Sequence, residues 1–155
     1  MVRKKFSIVH KDEEMLELIS KMHQKILAVW AIACTERVLH YFVEKYPEDP
    51  RPREAITELK AWIITDIFKM AVIRKASLDA HAAAREVGED SPARSAARAA
   101  GQAVATAHVA RHAYGSAIYA QQAIYRASNS EDAEGAAAKE RDWQYNKLIQ
   151  LGEKK

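Results

Sequence analysis

The stretch that decides the fold is Ala99 to Ile124, AAGQAVATAHVARHAYGSAIYAQQAI. It is dense in Ala, Gly, Ser and Thr, and punctuated by His108, Arg111, His112 and tyrosines. Small side chains let helix backbones approach closely, so imidazoles among them become partly buried and hydrogen-bonded. This segment is therefore the expected centre of the fold and the first place to look for a site. Ser91 followed by Pro92 starts the helix that contains it. The pattern predicts a helix to about Ala127, kinked near Gly101, where glycine costs about 1 kcal/mol against alanine.

Working outward, Gly88 stands where a helix C-cap glycine belongs. The preceding helix carries Met70, Ile73, Leu78 and His81, with Thr65 or Asp66 as its expected cap. Tyr46 to Arg53, YPEDPRPR, is the clearest break, since Pro47, Pro50 and Pro52 cannot share a helix interior. Pro52 suits the first turn of a helix holding Ile56, Leu59, Trp62 and Ile63. Toward the N-terminus, Asp12 can cap a short helix from Glu13, whose acidic first turn suits the helix dipole. Ser20 is the expected cap of a helix reaching about Tyr46, with Ile26, Leu27, Trp30, Cys34 and Val38 at helical spacing. Ser130 opens a last helix to about Leu151. No strand-like alternation bounded by turns occurs.

These signals predict an all-α fold over residues 1–155, a single-domain bundle of six or seven helices packed as antiparallel hairpins. Residues 1–12 and 152–155 are expected to be flexible tails. Ala80 to Arg85 (AHAAAR) echoes Ala107 to His112 (AHVARH), a match too short to define a repeat.

The chain has 155 residues, 48% hydrophobic and 29% charged, which is ordinary for a globular domain. Its 24 basic residues nearly balance 21 acidic ones, giving a net charge of +3. That balance, with dense basic clusters only at Arg3 to Lys5 and Lys154 to Lys155, argues against a nucleic-acid partner. No apolar run is long enough to span a membrane and nothing resembles a signal peptide, so cytoplasmic residence is expected. The single Cys34 excludes an intramolecular disulfide and reads as a small core residue.

His108 and His112 stand four apart, on one helical face. With His81 from the echo segment they could form part of a metal or small-molecule site, although zinc sites recruit three or four ligands. The commoner use of such histidines is structural, and no cofactor is expected. Asp79 and His81 cannot share a helix face, whereas His81 and Arg85 are neighbours. No nucleophile-elbow, Gly-rich phosphate loop or dinucleotide fingerprint is present. Arg51, Arg53 and Glu54 crowd a helix entrance and read either as salt-bridged or as a recognition patch. Trp30, Trp62 and Trp143 read as core, with Trp143 the best candidate for an exposed anchor.

Trp30 to Leu39 (WAIACTERVL), Tyr46 to Ile56 (YPEDPRPREAI), Ala61-Trp62, Ala80 to Glu86 (AHAAARE) and Ala97 to Ala113 (ARAAGQAVATAHVARHA) together resemble a bacterial family of immunity proteins from toxin–immunity systems. The positions carrying the pattern are Trp30, Glu36, Arg37, Arg51, Pro52, Arg53, Trp62, His81, Arg85, Gly101 and His108. The resemblance implies an all-helical, non-enzymatic protein that binds and neutralises a cognate toxin. Partner-binding candidates are then Arg51, Arg53, Glu54, Arg85, Arg111 and Trp143. The competing readings are a helical enzyme built on His81, His108 and His112, and a homo-oligomeric scaffold joined through its Ala/Gly-rich helix.

Overall fold

The computed structural model describes residues 5–6 and 12–153. Among them lie eight helices and no strands: α1 (Glu13–Ser20), α2 (Gln24–Glu36), α3 (His40–Val43), α4 (Arg51–Thr65), α5 (Met70–Glu86), α6 (Pro92–Ala105), α7 (His112–Ala127) and α8 (Ala133–Glu153). The all-helical expectation holds. The count exceeds the expected six or seven because two long helical patterns are interrupted. The first breaks over residues 37–39, where Val38 and Leu39 both donate to the Thr35 carbonyl. The second breaks over residues 106–111, beyond Gly101, which stays inside α6.

Caps explain most of the boundaries. The Asp12 side chain accepts from the Met15 amide (3.2 Å) and starts α1 as expected. Ser20 does not cap α2. Its hydroxyl donates back to the Glu17 carbonyl, and His23 precedes α2 without a side-chain bond. Neither Thr65 nor Asp66 opens α5. Asp66 ends α4 in the left-handed region (φ 59°), and Lys69 precedes α5. Ser91 caps α6 by accepting from the Arg94 amide. Gly88 takes φ 81° just past α5, a conformation that needs no Cβ there. The turn before α8 is built on Asn129, whose side chain accepts from Glu131 and Asp132, and not on Ser130.

At the centre, α6 packs against α2, α3, α4, α5 and α7. Its buried residues are Ala93, Ser95, Ala96, Ala97, Ala99, Ala100, Gly101, Ala103 and Val104. Little but small residues faces its neighbours, and that is what allows so many helices to gather round one. α2 supplies the bulk that α6 lacks, burying Leu27, Trp30 and Cys34. The Trp30 indole donates to the Gln144 carbonyl (2.8 Å), and buried Gln144 bridges onward to Gln121 and the Ala117 carbonyl. These bonds satisfy the polar groups carried into the core. Burial pushes the Cys34 thiol well above its ordinary range.

Of the expected tails, residues 1–4, 7–11 and 154–155 lie outside the described residues. Phe6 meets Tyr125 edge-on, Asp12 caps α1, and Gly152 and Glu153 belong to α8.

Candidate functional site

In α6 the partly exposed positions Arg94, Arg98, Gln102 and Ala105 recur at four, eight and eleven residues, so they form one outward stripe. From Arg94 to Gln102 the stripe runs about 12 Å along the axis. α5 borders it with Arg74, Leu78, His81 and Arg85, again a single stripe. α7 borders it with His112, Gly115, Tyr119, Gln122 and Arg126.

Side-chain bonds stitch the three helices together along this line. Arg98 donates to His81 Nδ1 at 2.8 Å. Arginine has no acceptor, so His81 Nδ1 is unprotonated and the ring is neutral with its proton on Nε2. Desolvation, then the charges of Arg98, Arg85 and His112, lower the His81 pKa to about 4. The imidazole lies flat against the α6 backbone: a Cβ on Gly101 would stand 2.6 Å from His81 Nε2. Gly101 is required here by close approach, since its own conformation is ordinary helix. One turn on, Gln102 Oε1 meets His112 Nδ1 at 2.8 Å while its side chain fills the space a Cβ on Gly115 would need. Burial also lowers the His112 pKa. At the other end Ser95 donates to Gln122, and Arg126 reaches Ser95. Asp90 meets Arg94 at 3.1 Å and Arg126 at 3.4 Å.

Beyond His112 the stripe meets an apolar corner. His108 stacks on Phe68 with ring centroids 6.1 Å apart. Ile64 (82% exposed), Ile67 (61%) and Phe68 (41%) at the end of α4 and just after it, and Val109 (42%) beside His108, are all exposed.

The sequence candidates fall on different parts of the molecule. Arg85 and Arg111 are exposed, and neither forms an ion pair among the described residues. Arg53 and Glu54 are exposed at the α4 entrance, and Glu54 lines a shallow groove toward α5 with Thr57 and Lys75. Arg51 is engaged: it binds Asp49 (2.7 Å) and Glu86 (2.9 Å), and those bonds hold both carboxyls below their usual range. Trp143 is half-buried beneath the Arg37 guanidinium, 3.9 Å from the ring centroid. His81, His108 and His112 take separate partners, Arg98, Phe68 and Gln102. Among the described residues no group of three or more His, Cys, Asp or Glu side chains could hold a metal ion. Arg94, Arg98, Gln102 and Arg126 escaped the sequence reading, although the four-residue spacing of polar positions in an alanine helix was there to be seen.

A family model described as Imm-5 like putative immunity protein matches residues 17–151. The chain belongs to that family. No curated protein and no solved structure gives a significant match. The matched span takes in all of α2 to α7, so the arginine stripe and the apolar corner both lie within the part the family shares. Among the described residues no helix is long and apolar enough to cross a membrane.

Proposed function

We propose that this chain is a non-enzymatic immunity protein that neutralises a cognate toxin by binding it and covering the surface the toxin needs. The observation that carries this reading is the family match over residues 17–151. A rigid helical scaffold suits the task, since a partner surface presented on packed helices loses little freedom on binding. In the pairs Ala84–Arg94, His81–Arg98 and Ser77–Gly101, and again in Ser95–Gln122 and Gln102–His112, positions fall in one helix as they rise in the next. These pairs support antiparallel hairpin packing of α5, α6 and α7 and a single domain that presents them together. The protein acts where the toxin would otherwise harm its own producer, in the cytoplasm.

Affinity capture of the full chain from its host, with bound proteins identified by mass spectrometry, tests this reading. The expected result is a stoichiometric protein whose toxic activity the purified chain suppresses in a reconstituted assay. A captured toxin that keeps full activity when saturated with the chain would contradict it.

A further inference from the structure

The charges over α6 are distributed unlike those elsewhere in the molecule. Arg37, Arg51 and Arg141 each meet at least one carboxylate at 2.9 Å or closer. Arg98 is half-buried and spends a donor on a neutral imidazole instead. Its positive charge is therefore oriented, and no carboxylate among the described residues pairs with it. Arg85 beside it makes no ion pair among the described residues, and Arg94 and Arg126 both lean on Asp90. Glu86, next in sequence to Arg85, is drawn to Arg51 on the other edge of α5. The guanidiniums of Arg85 and Arg98 therefore offer a planar fork that matches carboxylates.

We infer that the α5–α6–α7 face centred on Arg85 and Arg98 is the docking surface for an acidic segment of a protein partner. The identity of that partner as the toxin rests on the function proposed above; the chemistry of the face does not. A protein fits better than a nucleic acid for two reasons. The cations are arginines interleaved with Leu78, Tyr119 and Ala105, the mixture of guanidinium, aromatic and apolar surface found at protein interfaces. One end of the stripe also passes to the exposed apolar surface of Phe68, stacked on His108, and of Val109, which suits an apolar anchor. His81 holds Arg98 in place and acts as a positioning residue.

The test uses the full chain, isotope-labelled, titrated with a poly-L-glutamate peptide and separately with a single-stranded oligonucleotide of equal charge. Poly-L-glutamate is expected to perturb the Arg85, Arg98 and Gln102 resonances first, with an affinity that falls as salt rises. Arg85→Gln and Arg98→Gln should each weaken it about tenfold, and Lys139→Gln, at an exposed position of α8, should leave it unchanged. Perturbations centred elsewhere, preference for the oligonucleotide, or indifference to both substitutions would overturn the inference. The captured toxin separates this claim from the one beneath it. If toxin binds wild type and Arg85→Gln/Arg98→Gln with equal affinity, the docking face is wrong and the immunity function stands. If poly-L-glutamate follows the expected pattern while no toxin binds, the face stands and the immunity function fails.

Discussion

Two sets of arginines in this molecule do opposite things with the same chemistry. Around α1, α4 and α8, Arg37, Arg51 and Arg141 close onto carboxylates and tie distant segments together: α8 to the residue after α2, α4 to α5, and α8 to the α1 cap. Over α6, Arg85 and Arg98 make no ion pair among the described residues, and Arg98 is steered by a neutral histidine. A chain with almost balanced charge can therefore still present a basic face, because most of the neighbouring acids are committed elsewhere. Net charge describes the chain, and the pairing pattern describes the surface.

The comparison breaks most readily at Arg37. Its partner Glu140 has only 5% of its side chain exposed, so Arg37→Ala strands a buried carboxylate and uncovers Trp143. Because Arg37 itself is 40% exposed, the loss should be about 2–3 kcal/mol, at or below the low end for a broken buried pair. Denaturant unfolding measures it, and a loss within experimental error would show that this arginine is not structural.

Gly101→Ala should cost about 1–3 kcal/mol, because the new methyl collides with the His81 ring. The companion Gly101→Ala/His81→Ala should cost less than the sum of the two single changes. Strict additivity would mean that the ring moves aside freely.

A further effect is expected in acid. The folded protein keeps His81 neutral down to about pH 4, while the unfolded chain protonates it near 6.5. Between those values the unfolded state holds the extra proton, so stability falls as pH drops through the interval and is fully present above 6.5. Thermal unfolding across pH should show that slope in wild type and a shallower one in His81→Gln.

Least of all, Arg85→Gln should change stability by no more than about 0.5 kcal/mol, as expected for a surface side chain that makes no ion pair among the described residues. A larger loss would move Arg85 into the structural set.

Much of the fold was legible from local signals. Asp12, Ser91–Pro92, Gly88 and the proline run from 47 to 52 mark boundaries because each acts on its own backbone. The missed boundaries depend on tertiary context. At Asp66 the chain turns left-handed, where a cap was expected, and the turn over residues 106–111 carries no proline or glycine to announce it. Gly101 was read as a kink and proves to be a clearance for His81, a role that only the packed neighbour defines. The site was half legible: His81, Arg85 and His112 stood out, while Arg98, which bonds His81, looked like one more solvated arginine in an alanine helix. Arg51 was read as salt-bridged or as part of a recognition patch and Trp143 as core or an exposed anchor, and their partners Asp49, Glu86 and Arg37 could not be assigned from spacing alone.

The central claim is that the arginines over α6 serve a partner and not the fold. Its most direct measurement is a single preparation of Arg85→Glu/Arg98→Gln assayed twice, by thermal unfolding and by protection against the captured toxin. A cooperative transition close to that of wild type, together with lost protection, is the expected result. Protection at the wild-type level in a folded variant would contradict it.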